Sequence, residues 1–282
     1  EILSGGLISR EMKVFFGKCQ REWVWIMITV LLPNYKTPEL TRLCLRSLRK
    51  YTDFTKLQVL AVDNASGDES VEYLRSLPWI RLIERSAADI QGMPPALMHS
   101  SALDLALREV DTPYVLSMHT DTIVHDPRWL DYLMEHITRS EKIAGVGSWK
   151  LETVPLWKAA GKAIEDGFRT MLGKKRKEFR FLRSHCALYR TDLLKRFTKG
   201  FGDGECAGSS IQKHLLAAGY ELEFLPVREL SRYMAHLNHA TMILNPELAG
   251  RKTSSAKAFR KLGGKLHAQN YRRILEDDSL DR

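Results

Sequence analysis

No apolar run in this sequence approaches the roughly 20 residues that cross a bilayer. The longest candidate, residues 23–32, reads instead as a buried strand with its approach. The start lacks the basic, apolar, small-residue order of a secretory leader. Cysteine is scarce: the four residues Cys19, Cys44, Cys186 and Cys206 form no C-x-x-C pair and match no zinc spacing. That excludes a disulfide framework and a zinc ribbon, and points to reduced thiols in a reducing compartment. No repeat and no low-complexity segment is present. No glycine-rich basic loop follows the first apolar run, where Asn34-Tyr35-Lys36-Thr37-Pro38 stands instead, and this argues against a nucleotidyltransferase. Aromatic residues do not alternate with basic ones, as a single-strand nucleic-acid platform would require.

What is present is a chain of 282 residues with a net charge of +9. The length suffices for a large core without staples, and the basic balance favours anionic partners. Basic residues gather at Lys174-Lys175-Arg176-Lys177 and between Arg251 and Lys265.

Periodicity orders the first half. A β-branched apolar run over 26–32 predicts a buried strand. Thr37 then offers a side-chain cap and Pro38 the first helical position. Leu40, Leu43, Leu48 and Tyr51 follow at helical spacing, with Arg42, Arg46 and Arg49 pointing elsewhere. A second strand is expected over 57–62. Ser66 and Glu69 have capping-box spacing at the next helix. Further strands are expected over 80–84 and 114–118, with helices over 96–109 and 129–137. Strands alternating with helices imply a mostly parallel sheet flanked by helices. In such sheets ligands bind beyond the carboxyl ends of the strands. The residues delivered there are Asn34-Tyr35-Lys36, Asp63-Asn64 and His119-Thr120-Asp121. The second half is less regular: strands are expected over 186–190 and 220–225, a helix over 211–218 stopped by Gly219, and a loosely attached basic helical tail past Asn245.

Four motifs carry a family resemblance: Ile28-Thr29-Val30-Leu31-Leu32-Pro33-Asn34-Tyr35, Val62-Asp63-Asn64-Ala65-Ser66-Gly67-Asp68, Tyr114-Val115-Leu116 running into His119-Thr120-Asp121, and Gly219-Tyr220 with a strand and Pro226. Together they resemble the family-2 glycosyltransferases. The resemblance implies a single α/β domain of the GT-A, Rossmann-like type. It also implies inverting transfer of a sugar from a nucleoside diphosphate, UDP or dTDP in preference to GDP, to a carbohydrate or lipid-linked acceptor. It places Pro33, Tyr35 and Asp63 around the base and ribose, and Asn34, Lys36, Ser100 and Thr120 are further candidates for the nucleotide site. It also implies a divalent cation, Mn2+ or Mg2+, bridging the two phosphates.

Such enzymes usually hold that cation with a D-x-D motif. Here His119 takes the first position and leaves Asp121 as the one carboxylate, a suitable oxygen ligand for either ion. His236 is the candidate to complete the set, and imidazole suits manganese better than magnesium. The family position of the general base falls on Ala207-Gly208, which cannot act. The nearby acids are Glu205, preferred because its flanking glycines let the backbone approach a ligand, and Asp203. Trp149, Ser184 and His185 are expected to line the acceptor site. The organisation expected is an extension over 1–26, a nucleotide half over 27–145, an acceptor half over 146–245 and a basic tail over 246–282. The expected location is cytoplasmic, with peripheral contact at an anionic membrane face.

Overall fold

The computed structural model describes residues 28–151, 179–203, 206–248 and 255–282. The expected extension over 1–26, the basic cluster at 174–177 and Glu205 lie outside these residues.

The chain builds a seven-stranded sheet. Strands β1 (Ile28–Asn34), β2 (Leu57–Asn64), β3 (Ile80–Arg85), β4 (Tyr114–Met118), β6 (Ile143–Gly147), β7 (Cys186–Arg190) and β8 (Glu221–Phe224) lie in the order β3-β2-β1-β4-β7-β6-β8. β1 pairs parallel with β2 and β4, and β2 parallel with β3. β7 runs antiparallel to both β4 and β6, and β6 is parallel to β8. β5 (Thr122–Val124) and β9 (Met234–His236) form a separate antiparallel ribbon.

Every residue of β1 is buried, as expected of a central parallel strand covered on both faces. Alternate side chains enter alternate layers. Val30 and Leu32 join the core with α1 (Pro38–Tyr51) and α5 (Trp129–Ile137). Leu31 faces the other layer, with Leu103 and Ala106 of α4 (Pro95–Arg108). Between them in sequence lie α2 (Glu69–Ser76) and the single-turn α3 (Ala87–Ile90). α1 buries Leu40, Leu43, Leu45 and Leu48 completely, each worth roughly 1.5–3 kcal/mol of transfer free energy. The edge strand β3 exposes Arg81 and Glu84, and charge on an edge discourages further strand pairing.

Several local expectations are corrected. Thr37 precedes α1 without capping it, because its hydroxyl lies among Asn34, Thr41 and Thr120 instead. Asp68, not Ser66, caps α2 by accepting from the Ser70 amide; the Ser66 hydroxyl is already donated to Asp63. Arg46 does not point away from the core. It is 3% exposed and ion-paired with Asp278 and Asp281. The C-terminal segment is helical as expected, over Ala256–Leu266 and Gln269–Leu275, but it is docked. Leu262, Leu266 and Ile274 are buried in the core that contains α1.

Candidate active site

The parallel strands β1, β2 and β4 end at one rim. Asn34 and Asp63 are register partners at the tips of β1 and β2. Asn34 is fully buried and its amide is used in every direction. Its Nδ2 donates to Asp63 Oδ1 at 2.7 Å and to Ser70 Oγ at 2.8 Å, and its Oδ1 accepts from Thr41 Oγ1 at 2.6 Å. Asp63 Oδ1 also accepts from Ser66 Oγ at 2.6 Å, and Oδ2 from the Ser66 amide at 3.0 Å. Ser66 Oγ accepts in turn from the Lys36 amide at 3.0 Å. One polar knot therefore joins the loops after β1 and β2. Thr37 extends it: its Oγ1 lies 3.4 Å from Asn34 Oδ1 and 3.4 Å from Thr120 Oγ1, next to Asp121. Asp63 and Asp121 thus share one rim.

A cleft of about 600 Å³ opens beside Asp63, lined by Ala65, Gly67, Asp68, Arg75 and Arg85. Arg85, which the sequence reading missed, ends β3 and donates to Asn64 Oδ1 at 2.9 Å and Ser101 Oγ at 3.0 Å. A basic residue at a strand tip was the signal available for it. Tyr35 is half-buried and Lys36 exposed, with the Lys36 ammonium 5.2 Å from the Tyr35 ring centroid. Pro33 is buried within β1.

At the tip of β4 the chain brings together His119, Asp121 and His236, whose potential ligand atoms all lie within 4.8 Å of one another. The ribbon makes this possible by pairing Thr122 with His236. Asp121 is held by two backbone amides. Its carbonyl accepts from the Leu237 amide at 2.8 Å and its Oδ2 from the Ala240 amide at 3.2 Å. Oδ1 is left facing His236 Nε2 at 3.0 Å and His119 Nδ1 at 3.7 Å. Both Asp121 Oδ1 and His236 Nε2 are buried without a hydrogen-bond partner. Buried polar atoms are normally satisfied, and these two face each other without a well-formed hydrogen bond. A divalent cation held by the carboxylate and the two imidazoles would satisfy both atoms. The donor set fits. Burial alone would raise the Asp121 carboxyl, but the facing His236 and His119 rings outweigh it and hold it well below the usual range. Burial pushes the His119 ring down, which favours the neutral form that can ligate.

Two further histidines complete the cluster. His185 stacks on His236 with ring centroids 4.6 Å apart, and its Nε2 lies 2.9 Å from Ser148 Oγ. Burial, then His236, holds its pKa well below the ordinary value. His99, also missed from sequence, reaches in from α4. Its Nε2 lies 3.1 Å from Ser184 Oγ, which lies 2.9 Å from His119 Nε2. Burial and the neighbouring His119 push His99 down to about 3. No sequence signal marked His99, a lone histidine on a helix.

Ser184 and His185 are buried inside the histidine cluster. Ser100 is buried in α4 and donates back to the Leu97 carbonyl at 3.3 Å. Trp149 is half-buried, with the Arg183 guanidinium 4.5 Å from its ring centroid and Phe181 against its edge. Asp203 accepts from Ser210 Oγ at 2.8 Å. Its loop is clamped by Asp104 of α4, which accepts from the Phe201 amide at 2.6 Å and the Gly202 amide at 2.8 Å. A Cβ at Gly202 would stand 2.7 Å from the Asp104 carboxylate, so glycine is required for this approach. Cys44 and Cys186 are free and buried; burial pushes the Cys186 thiol up to about 12.

All four non-glycine residues with positive φ among the described residues flank this rim. Lys36 follows β1, Ala65 follows β2, and Asn238 and His239 follow β9. Such backbone costs on the order of 1–3 kcal/mol per residue and gathers at functional sites.

Residues 29–198 match the family model described as Glycosyl transferase family 2. Among solved structures, mannosyltransferase PcManGT from Pyrobaculum calidifontis, determined with GDP-Man and Mn2+, is similar with a TM-score of 0.52 at 14% identity, over 90% of this chain and 84% of that one. Glucosyl-3-phosphoglycerate synthase from Mycobacterium tuberculosis, with Mn2+, UDP-Glc and phosphoglyceric acid, aligns with a TM-score of 0.47 at 15% identity, over 87% and 86% of the two chains. No curated protein sequence matches the chain.

Proposed function

The chain belongs to glycosyl transferase family 2 and is a glycosyltransferase of the GT-A type, and from that premise we propose that it moves a sugar from a UDP- or dTDP-linked donor to an acceptor hydroxyl with inversion. The observation that carries this reading is the His119–Asp121–His236 cluster, in which Asp121 Oδ1 lies 3.0 Å from His236 Nε2, on the same rim as the Asp63 cleft. In the proposal, His119, Asp121 and His236 hold a divalent cation. The cation, when bound, neutralises charge on the departing diphosphate. Two imidazoles in the set favour Mn2+ over Mg2+, and PcManGT was determined with Mn2+.

The remaining work falls to the protein. Asp63, held rigid by Asn34 and Ser66, accepts from the base or ribose, with Tyr35 flanking. Lys36, exposed at the mouth, faces the phosphates. The acceptor oxygen attacks the anomeric carbon from the face opposite the diphosphate while a carboxylate takes its proton. That base is assigned to Glu205 ahead of Asp203, because the Asp203 carboxylate already serves Ser210. The acceptor is a carbohydrate or a lipid-linked sugar. No helix among the described residues is long and apolar enough to cross a membrane. Exposed Phe259 among exposed Lys257, Arg260 and Lys261 supports peripheral contact with an anionic surface, where each basic residue contributes ~1 kcal/mol.

A thermal-shift screen of UDP, dTDP and GDP with Mn2+ tests the reading. UDP or dTDP at 100 times its dissociation constant adds about 2.7 kcal/mol of stability. Asp121→Ala is expected to abolish the cation-dependent part, and Glu205→Gln to keep the shift while losing turnover. Absence of a shift with every nucleotide overturns the proposal.

A further inference from the structure

Ser184 stands between two imidazoles, 2.9 Å from His119 Nε2 and 3.1 Å from His99 Nε2. A hydroxyl has one proton to donate and can accept from the other side. The three groups therefore form a directed chain that runs one way or the other. Which way is decided at the far side of His119, whose Nδ1 lies 3.7 Å from Asp121 Oδ1. A proton on Nδ1 serves the carboxylate, and a bare Nδ1 serves a cation. Neutral imidazole carries one N–H, so the choice at Nδ1 fixes the state of Nε2.

We propose that His99 and Ser184 are positioning residues of the cation site, a relay that holds His119 with its Nδ1 lone pair turned to the ion. This rests on the cation reading above. With a cation in place, His119 Nε2–H donates to Ser184 Oγ, and Ser184 O–H donates to His99 Nε2. Without it, His119 Nδ1–H turns to Asp121 and the chain reverses, with His99 Nε2–H donating to Ser184 and Ser184 to His119. On cation binding the chain passes one proton from His99 Nε2 through Ser184 to His119 Nε2. One proton is released at His119 Nδ1 and one is taken up from water at His99 Nδ1, so the total is unchanged and each imidazole exchanges one tautomer for the other. The relay also locks ring orientation, since His99 packs edge-on against His119 with centroids 4.7 Å apart. A hydrogen-bonded partner behind a ligating histidine is a common requirement for tight metal binding. Here the partner is a serine backed by a second histidine from α4, so a helix of the first half helps to set the metal site.

The test uses the full-length protein with the cation alone. Nitrogen NMR of the histidines is expected to show His119 as the Nδ1–H tautomer without metal and the Nε2–H tautomer with diamagnetic Zn2+, with His99 exchanging in the opposite sense. Calorimetric titration with Mn2+ is expected to give about 10- to 100-fold weaker binding in Ser184→Ala and near-normal binding in Ser184→Thr, which keeps the hydroxyl. His99→Phe keeps the packing, removes the acceptor and is expected to weaken Mn2+ as Ser184→Ala does. Unchanged Mn2+ affinity in Ser184→Ala and His99→Phe, or a His119 tautomer indifferent to Zn2+, overturns the relay while leaving the cation reading intact. Failure of the unmodified protein to bind either ion, with or without nucleotide, overturns the cation reading itself.

Discussion

Asn34 has no free hydrogen-bonding direction. Its amide holds Asp63, Ser70 and Thr41 together in a space closed to solvent. Replacing it by alanine leaves a buried carboxylate oxygen short of a donor and a buried hydroxyl without its acceptor. Each such loss costs ~1–3 kcal/mol, so Asn34→Ala is expected to lower stability by about 2–4 kcal/mol in chemical denaturation and to weaken nucleotide binding with it. A variant as stable as the parent would refute the tether. Sequence placed Asn34 at the rim but among the ligand contacts, because a polar residue at a strand tip reads alike whether it faces a ligand or a neighbour. Asp121 and His236 were legible for a different reason. The first sits at the end of a recognisable strand, and the second was named from the family resemblance, after a late strand. His99 and Ser148 were invisible, since only the packing of α4 and the end of β6 brings them to the cluster.

At the scale of elements, alternation of apolar runs with helical periodicity was enough to place β1 to β4, α1, α4 and α5 within a residue or two. The docking of the C-terminal helices was not legible, because its anchor joins residues more than 200 positions apart. Arg46 Nε donates to Asp281 Oδ1 at 2.9 Å, and Tyr73 Oη donates to the same carboxylate at 2.7 Å. Arg46 also donates to the Leu275 carbonyl. Asp278 is 90% exposed and contributes little. The anchor predicts a pH dependence. Burial would raise the Asp281 carboxyl, but the bonds from Arg46 and Tyr73 outweigh it and hold it below the ordinary value. A depressed folded-state pKa gives stability that is complete above the unfolded value near 3.9 and is lost as pH falls through the folded one. Amide hydrogen exchange across residues 256–275 is therefore expected to accelerate below about pH 4. In Asp281→Asn the same segment is expected to exchange fast already at neutral pH, with no further acid step from this group. Exchange that stays slow in Asp281→Asn would show that the apolar contacts of Leu262, Leu266 and Ile274 suffice alone.

The whole molecule has one rim fed from both halves of the chain. Asp63, Thr37 and Asp121 come from the regular first half, His236 from the ribbon that the second half returns to β5, and Asn245 closes on the Lys36 carbonyl at 3.2 Å. A nucleoside diphosphate lying from the Asp63 cleft to the cation would touch both groups at once, so the two ligands are expected to bind cooperatively. Coupling free energies of this kind are commonly ~1–3 kcal/mol, a factor of roughly 5 to 150, and linkage makes them reciprocal. Mn2+ should therefore tighten UDP by the same factor as UDP tightens Mn2+, and calorimetry in both orders measures the two independently. His236→Ala is expected to remove the coupling and leave UDP at its metal-free affinity, because Asp63 and the Ser66 that holds it lie in another loop. Asp63→Ala should weaken UDP in both the presence and the absence of Mn2+ while leaving Mn2+ alone unaffected. Equal UDP affinity with and without Mn2+ in the unmodified protein would mean that cleft and cation site do not share a ligand, and the shared rim would then be an accident of topology rather than a site.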